Sequence, residues 1–278
     1  MQKILVTGAT SGIGLAAATL LAVEGHQVIA TGRTEEKLRR VEQAADKANV
    51  TIRRVKLDVS DSESISNMKN EVLALTNGYG VDVLVNNAGY AEAGAIEELP
   101  LNRLRKQFET NVFGLVAVSQ ALLPLMRQRQ RGKIINISSV LGKVSIPLMG
   151  AYTASKHAVE AISDAMRVEL ADAGVTVSVV APGSVETNFG STVSTSIEDW
   201  AVEASPYKHS YTKFQNDRMA DGGAKPLVIA KTIRDIVQSE HPKARYAATY
   251  DSKLMPVATT LLPTKAVDKL LKKYVLGR

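Results

Sequence analysis

Apolar residues along the chain follow two different periods. Short continuous apolar runs, typical of buried strands, alternate with longer segments in which apolar residues recur every third or fourth position, as on one face of a helix. This alternation predicts an α/β fold with a seven-stranded, mostly parallel sheet and helices on both faces. The predicted strands lie at residues 3–7, 27–31, 51–58, 82–86, 133–138, 175–180 and 245–249.

The size and composition of the chain fit one domain. It has 278 residues, of which 45% are hydrophobic, enough to bury a large core. Neither a linker nor an internal repeat interrupts the alternation. We therefore expect a single domain over residues 1–278, which ends in a helical tail at 252–278.

A glycine-rich turn joins the first predicted strand to the first predicted helix. KILVT is followed by GATSGIG, which holds Gly8, Gly12 and Gly14, and then by the apolar run LAAATLLAVEG. Glycine lets the backbone turn sharply and approach a pyrophosphate, while the helix N-terminus offers free N–H groups and the positive end of its dipole. The segment predicts a phosphate cradle for a dinucleotide; for a glycine trio alone, a plain tight turn is the alternative.

Tyr152 and Lys156 form a candidate proton-transfer pair. They stand four residues apart in GAYTASKHAVEA, at the start of a helical apolar pattern, so both side chains project from one face. A tyrosine hydroxyl has an ordinary pKa of about 10, and an ammonium one turn away favours the phenolate and lowers that pKa. For the pair alone, the alternative is a solvated helix face.

Polar residues follow two further predicted strands. VDVLVNNAG ends in Asn86, Asn87, Ala88 and Gly89, and KIINISS ends in Ser138 and Ser139. In doubly wound α/β sheets, ligands bind beyond the carboxyl ends of the strands. These residues are therefore expected to meet at a nucleotide site.

Together these motifs resemble the short-chain dehydrogenase/reductase superfamily. The matching segments are TGATSGIG, NNAG, the serine 13 residues before Tyr152, YTASK and APGSVET, and they span most of residues 3 to 190. The resemblance implies a doubly wound Rossmann fold with strand order 3-2-1-4-5-6-7. Within the superfamily, the chain looks most like members that act on hydroxysteroids, retinol and related lipids.

The resemblance implies a catalytic tetrad of Asn111, Ser139, Tyr152 and Lys156. Tyr152 would exchange a proton with the substrate oxygen, and Lys156 would lower the tyrosine pKa and hydrogen-bond the nicotinamide ribose. Ser139 would hold the substrate oxygen, with Ser138 as a supporting neighbour. Asn111, in a helical run that disfavours asparagine, would serve a water-linked proton relay. The alternative is that Asn111 caps or kinks the helix.

The second strand indicates NADP rather than NAD. NAD-type sites carry a carboxylate at the end of this strand, whereas here Thr31 and Gly32 are followed by Arg33, and no acid occurs before Glu35. A guanidinium binds a 2′-phosphate through charge-assisted hydrogen bonds, and Ser11 could add a hydroxyl contact. The alternative for Arg33 is a solvated loop cation.

By resemblance, the cofactor-binding residues extend along the whole site. Asp58 corresponds to the position that contacts the adenine ring, the segment from Asn86 to Gly89 would flank the adenosine and its ribose, and a segment after the sixth strand would cover the nicotinamide. The predicted cofactor set is Gly8, Thr10, Ser11, Gly12, Ile13, Gly14, Arg33, Asp58, Val59, Asn86, Asn87, Ala88, Gly89, Tyr152, Lys156, Pro182, Gly183, Val185 and Thr187.

Residues 184–225 correspond to the family's variable substrate loop and are predicted to form a lid. Of the chain's aromatic residues (8 Tyr, 4 Phe and 1 Trp), this segment holds Phe189, Trp200, Tyr207, Tyr211 and Phe214. An apolar lid would suit a hydrophobic carbonyl compound such as a steroid, retinoid or fatty-chain ketone, with Ile146, Leu148 and Met149 extending the wall. The alternative, given equal weight, is that the aromatic residues pack the lid against the core.

The predicted function is an NADP-dependent oxidoreductase that moves a hydride between NADP(H) and a carbonyl or secondary-alcohol substrate. The alternative is a regulatory or scaffold protein that binds NADP on the same fold without turnover, which would not need Ser139, Tyr152 and Lys156 together. Nucleotide-sugar epimerases and dehydratases share the tyrosine–lysine pair but usually carry a G-x-x-G-x-x-G loop and a larger C-terminal domain.

Charge and residue usage narrow the partners and the compartment. The net charge of +6 comes from Lys and Arg spread over many predicted helices, so no nucleic-acid partner is expected. There is no cysteine, and His26, His157, His209 and His241 lack ligand spacing, so we expect no disulfide and no metal site. The chain begins with the first strand and holds no apolar run that approaches a membrane span, so a soluble cytoplasmic enzyme is expected.

Two segments suggest association. The tail ends in TKAVDKLLKKYVLGR. As a helix, this segment would have one apolar face bordered by basic residues, formed by Val267, Leu270, Leu271, Val275 and Leu276. Docking of this helix on its own domain or on a second subunit is favoured over contact with a membrane surface. By resemblance, helices at 101–130 and 151–173 would pair across a two-fold axis into a homodimer or homotetramer.

Overall fold

The computed structural model describes residues 1–187, 193, 197, 204–217 and 223–277, together with the helical backbone of 218–220. Its centre is a sheet with the order β3-β2-β1-β4-β5-β6-β7, in which every neighbouring pair is parallel. The predicted α/β class and the strand order are confirmed, and the sheet is wholly rather than mostly parallel. The strands are β1 (Lys3–Val6), β2 (Gln27–Gly32), β3 (Ile52–Lys56), β4 (Val83–Asn86), β5 (Gly132–Ile137), β6 (Val175–Ala181) and β7 (Arg245–Ala247).

Helices connect the strands and cover both faces of the sheet. They are α1 (Gly12–Val23), α2 (Glu35–Ala48), α3 (Ser62–Leu75), α4 (Leu101–Phe108), α5 (Gly114–Gln128), α6 (Gly150–Glu169), α7 (Lys208–Ala220), α8 (Pro226–Gln238), α9 (Tyr250–Leu261) and α10 (Thr264–Leu271). Wider π-helical turns occupy Glu109–Phe113 and Lys272–Leu276, and short 3₁₀ turns occupy Val140–Gly142 and Ala171–Ala173.

Alternate residues of the central strands enter two separate cores. In β1, Ile4 and Val6 pack in a cluster with Leu21 of α1, whereas Leu5 packs on the opposite face in a cluster with Leu122 of α5. A strand buried on both faces needs apolar residues at its buried positions, which explains the continuous run of Ile4, Leu5 and Val6. A third cluster lies among the segments that follow β4 and β5 and includes Tyr152.

Two strands end two residues earlier than predicted. β3 ends at Lys56 and β7 at Ala247. In each case a side chain takes over the backbone hydrogen bonding: the Asp58 N–H donates to Ser64 Oγ at 2.9 Å, and the Thr249 N–H donates to Ser252 Oγ at 3.0 Å. Asp58 therefore lies outside the strand, and Thr249 is the N-cap of the helix that follows.

The segment Leu101–Gln128 forms one continuous helical rod through α4, the π-helical turn and α5. By length and composition alone it could cross a membrane, so the expectation that no apolar run is long enough was wrong. In the fold, Val118, Leu122 and Met126 of this rod are buried in the core on one face of the sheet. Its apolar character is thus used for packing.

Candidate active site

A cavity of about 550 Å³ opens beyond the carboxyl ends of the strands. Because the strands are parallel, the turns that follow them meet at one edge of the sheet, although they are far apart in sequence. Of the predicted cofactor residues, only Gly14 and Asn86 do not line this cavity. The members that line it are Gly8, Thr10, Ser11, Gly12, Ile13, Arg33, Asp58, Val59, Asn87, Ala88, Gly89, Tyr152, Lys156, Pro182, Gly183, Val185 and Thr187.

The glycine turn after β1 is closely packed. Gly8 has a left-handed backbone with φ of 63°, and a Cβ there would lie 2.8 Å from the Cα of Ala88. A Cβ on Gly14 would lie 2.5 Å from the carbonyl oxygen of Gly8. Gly14 thus lets α1 pack against the turn, while Gly12 and Ile13 at the start of α1 face the cavity.

Thr7 and Asn87 join the glycine turn to the end of β4. The backbone N–H groups of Asn87 and Ala88 both donate to Thr7 Oγ1 at 2.9 Å, and Asn87 Nδ2 donates to the carbonyl oxygens of Thr7 and Gly8. The role of Thr7 was not predicted, because it depends on a contact with residues about 80 positions away. This network fixes two walls of the cavity relative to each other.

Ser139, Tyr152 and Lys156 line the same cavity. Ser139 caps the 3₁₀ turn after β5, where its Oγ accepts from the Leu141 N–H at 3.1 Å, and Tyr152 and Lys156 are buried in the first turns of α6. The Lys156 ammonium lies 5.8 Å from the centre of the Tyr152 ring. The neighbouring Ser138 also lines the cavity, and its buried Oγ has no hydrogen-bond partner among the described residues.

Lys156 is held deep in the fold. Its Nζ donates to the carbonyl oxygen of Ile137 at 2.7 Å. Burial lowers the pKa of Lys156 to about 8, against an opposing effect of the Glu160 carboxylate one turn further along α6. The ammonium is therefore charged at neutral pH but loses its proton more readily than an exposed lysine.

Asn111 lies outside the cavity wall, in the π-helical turn between α4 and α5. Its Nδ2 donates to the Tyr90 carbonyl at 3.0 Å and to Ser155 Oγ at 3.1 Å, and its Oδ1 accepts from the Tyr90 N–H. The side chain thus joins the widened turn to α6 and to the segment after β4. This placement agrees with the alternative that Asn111 kinks the helix, and its part in a proton relay stays a prediction.

The placement of Asn86 differs from the prediction. Its Nδ2 donates to Ser119 Oγ and to Asn136 Oδ1, both at 2.9 Å, within the buried interior. Asn86 therefore ties β4 to β5 and α5 instead of flanking an adenosine. It points away from the cavity because alternate residues at the end of a strand face opposite sides.

Cations collect where the turns after β2 and β3 face the cavity. Arg33 is joined there by Lys37 and Arg40, which lie three residues apart on α2 and were not predicted. Burial acts to raise the pKa of Asp58, but hydrogen bonds from Ser60 and the nearby charges of Arg33 and Lys106 lower it overall. The carboxylate is thus kept ionised beside a strongly positive wall.

The turn after β6 is fixed by the start of α9. The Gly183 N–H donates to Thr249 Oγ1 at 2.9 Å, and the Ser184 N–H donates to Asp251 Oδ2 at 2.8 Å. A Cβ on Gly183 would collide with the Asp251 carboxylate. Met255, one turn further along α9, lines the cavity. None of these α9 residues was predicted, since no local motif marks them.

The apolar wall near Tyr152 differs in part from the prediction. Ile146 and Met149 line the cavity together with Val140, Leu141 and Met255, whereas Leu148 is buried in the third core cluster. Leu148 has φ of 63°, a left-handed backbone that turns its side chain into the core, and its carbonyl accepts from the Gly94 N–H.

The described aromatic residues of the lid are packed rather than exposed to the cavity. Tyr211 and Phe214 are buried in the third core cluster and Tyr207 packs against it; none of the three lines the cavity. The Tyr211 hydroxyl donates to Glu98 at 2.6 Å and accepts from the Ala95 N–H. Phe189 and Trp200 lie outside the described residues. For Tyr207, Tyr211 and Phe214, the alternative that the lid aromatic residues pack against the core is therefore correct.

A family model described as short chain dehydrogenase matches residues 2–198 of the chain. The chain belongs to the short-chain dehydrogenase family. It is 37% identical over 278 residues to the uncharacterized oxidoreductase YusZ of Bacillus subtilis (strain 168), with 98% of each chain covered. It is 33% identical over 287 residues to the NADPH-dependent 3-dehydrocapnine reductase of Ornithobacterium rhinotracheale, and this match covers 98% of this chain and 97% of the reductase.

The fold agrees with solved members of the family. A crystal structure of a short-chain dehydrogenase from Streptomyces avermitilis superimposes with a TM-score of 0.79 at 32% identity, covering 98% of this chain and 96% of that one. As a short-chain dehydrogenase, the chain is an oxidoreductase that uses a nicotinamide cofactor.

The cavity fits such a cofactor. The closely packed glycine turn leaves room for a pyrophosphate at the start of α1, and the Arg33 wall offers positive charge to phosphate. When bound, the nicotinamide supplies or accepts the hydride. Among the described residues, no group of three or more His, Asp or Glu side chains is placed to hold a metal ion.

Proposed function

We propose that this short-chain dehydrogenase transfers a hydride between NADP(H) and a carbonyl or secondary-alcohol group on a hydrophobic substrate. The observation that carries the proposal is that Ser139, Tyr152 and Lys156 line one cavity with the glycine turn and with Arg33. A protein that only binds the dinucleotide would need the glycine turn but not the three polar side chains.

The three side chains divide the proton chemistry. The Tyr152 hydroxyl donates its proton to the substrate oxygen during reduction and removes it during oxidation. The Ser139 hydroxyl donates a hydrogen bond to the same oxygen and stabilises the negative charge that develops on it. The buried Lys156 ammonium favours the ionised form of Tyr152, so the tyrosine gives up its proton more readily.

The preference for NADP is supported by three cations. Arg33, Lys37 and Arg40 line the cavity beside the end of β2, where NAD-type sites place a carboxylate. A 2′-phosphate would gain charge-assisted hydrogen bonds there, whereas an unphosphorylated ribose would not. The 33% identical reductase from Ornithobacterium rhinotracheale is NADPH-dependent, which agrees with this preference.

The apolar wall favours a hydrophobic substrate. Val140, Leu141, Ile146, Met149 and Met255 form the cavity surface contributed by the segment before Tyr152 and by α9. A carbonyl held by Tyr152 and Ser139 would place its alkyl substituents against these side chains. Each further methylene buried there would contribute about 0.8 kcal/mol, about a fourfold gain in kcat/KM.

The proposal is tested by following NADPH and NADH consumption over a series of straight-chain ketones and aldehydes, with NADP-dependent oxidation of the matching alcohols alongside. We expect kcat/KM to be at least tenfold higher with NADPH and to rise with chain length. A Tyr152→Phe preparation controls for contaminating reductases. Tight NADPH binding without turnover of any carbonyl or alcohol would favour the regulatory or scaffold alternative.

A further inference from the structure

The two C-terminal helices hold apolar side chains in solvent. On α9, the exposed fractions of Leu254, Val257 and Leu261 are 48%, 56% and 77%. Their spacing places them in one row along the outer face of the helix. Further along, Leu270 of α10 and Tyr274 of the following π-helical turn are 46% and 65% exposed. These five residues are called the C-terminal apolar surface.

The helices that carry this surface are anchored to the rest of the fold. The first turn of α9 is closed by a capping box between Thr249 and Ser252, and Met255 on its inner side lines the cavity. After α10, the Leu276 carbonyl accepts from Ser210 Oγ of α7 at 2.8 Å. The apolar residues are therefore presented outward by a fixed framework.

The predicted docking of the tail on its own domain is only partly observed. Of the predicted helical face, Val275 and Leu276 pack against the third core cluster. No residue of α10 is buried, and Leu270 faces solvent. Val267 and Leu271 are half-buried, so the exposed apolar side chains of α10 and the turn after it are Leu270 and Tyr274.

The segment that carries the C-terminal apolar surface is rich in positive charge. Residues 250–277 contain five lysines and two aspartates, and Asp251 is turned inward to accept from the Ser184 and Ser252 N–H groups. Lys273 lies with its ammonium 5.7 Å from the centre of the Tyr274 ring. All five lysines are exposed, namely Lys253, Lys265, Lys269, Lys272 and Lys273.

We propose that the C-terminal apolar surface docks on an anionic lipid bilayer. Leucine, valine and tyrosine side chains would enter the boundary between headgroups and acyl chains, while the exposed lysines contact the anionic headgroups. A second copy of the chain is a poorer occupant, because a two-fold contact would bring the same lysines face to face. The proposal rests on exposure and charge alone and does not depend on the proposed function.

The test is co-sedimentation of the full chain with vesicles of phosphatidylcholine and phosphatidylglycerol in a 7:3 ratio, compared with pure phosphatidylcholine. We expect binding at about 0.1 M salt to the anionic vesicles, at least tenfold weaker binding to the neutral ones, and release in about 1 M salt, where charges are screened within about 3 Å. Leu254→Ser/Leu261→Ser and Lys269→Glu/Lys273→Glu should each lower the binding at least tenfold.

Variants with similar substitutions at other exposed positions serve as controls. Val23→Ser alters an exposed apolar residue, and Lys47→Glu/Lys231→Glu makes the same change in charge on the exposed faces of α2 and α8; all should bind like the parent chain. Light scattering is run on every variant. Absence of binding, equal binding to neutral vesicles, equal losses in the controls, or dissociation of an oligomer by the Leu254→Ser/Leu261→Ser change would each overturn the proposal.

Discussion

At the scale of single residues, Lys156 depends on the groups around it to stay charged. A buried ammonium loses hydration, and near Lys156 the Ile137 carbonyl at 2.7 Å and the Glu160 carboxylate offset part of that loss. Glu160 is itself buried and is held by ion pairs to Lys143 at 3.3 Å and Arg245 at 2.9 Å. The state of Lys156 is therefore coupled to a charge network behind the cavity.

The pH dependence of kcat/KM for NADPH should report this coupling. Activity is expected to fall as pH rises through about 8, because Lys156 loses its proton there. Glu160→Gln removes a charge that raises the pKa of Lys156, so the falling limb should move to lower pH. Asp164→Asn, which alters the outer partner of Arg245, is the control. A limb that stays in place or moves upward would contradict the coupling.

Tyr152→Phe should abolish turnover and leave NADPH binding nearly unchanged, because the ring is kept and only the transferable proton is lost. Stopped-flow turnover and fluorescence titration of NADPH measure the two quantities separately. Residual activity within about tenfold of the parent enzyme, little more than 1.4 kcal/mol of barrier, would be incompatible with the role of proton donor.

Arg33→Ala should weaken NADPH binding by about 1.5–3 kcal/mol and leave NADH binding unchanged, because the lost hydrogen bond goes to a phosphate that NADH lacks. Lys37→Ala and Arg40→Ala should act in the same direction. Arg39→Ala is the matched control, since Arg39 is exposed on α2 but does not line the cavity. Titration of both cofactors measures the effect, and equal losses for NADH and NADPH would refute it.

At the scale of elements, sequence patterns predicted the structure of a segment where residues adjacent in the sequence determine its conformation. The central strands were recognisable because burial on both faces requires continuous apolar runs, and the glycine turn because its backbone needs residues without Cβ. The placements of Asn86, Asn111 and Met255 could not be predicted in this way. Their surroundings come from residues such as Asn136, Ser155 and the cavity walls, which only the folded topology brings near.

Two glycine substitutions within helices should separate packing from helix propensity. Gly14→Ala would place a Cβ 2.5 Å from the Gly8 carbonyl oxygen, so we expect a loss of about 1–3 kcal/mol in the free energy of unfolding. Gly150→Ala meets only the side chain of Ile96, which is exposed and can move, so the change should be neutral or stabilising by up to about 1 kcal/mol. Urea titrations measure both; equal effects would argue against the packing role of Gly14.

At the scale of the whole molecule, exposed apolar residues mark the helices predicted to pair. Leu101 and Phe113 on the α4–α5 rod and Val168 on α6 are 56%, 55% and 68% exposed. We expect a homodimer or homotetramer of the 29.8 kDa chain in light scattering. Phe113→Glu/Val168→Glu should yield monomers, because charge would be buried in the interface. A fully active monomer at micromolar concentration would exclude this assembly.

The strand order also governs how the chain is made. β1 pairs with β2 on one side, but its other edge waits for β4, since Leu5 pairs with Leu84. A ribosome that adds about 5–20 residues per second needs about 4–16 seconds to synthesise the roughly 80 residues between these partners. During that interval one edge of β1 is unpaired, so we expect the nascent N-terminal third of the chain to be a substrate for chaperones before it is part of an enzyme.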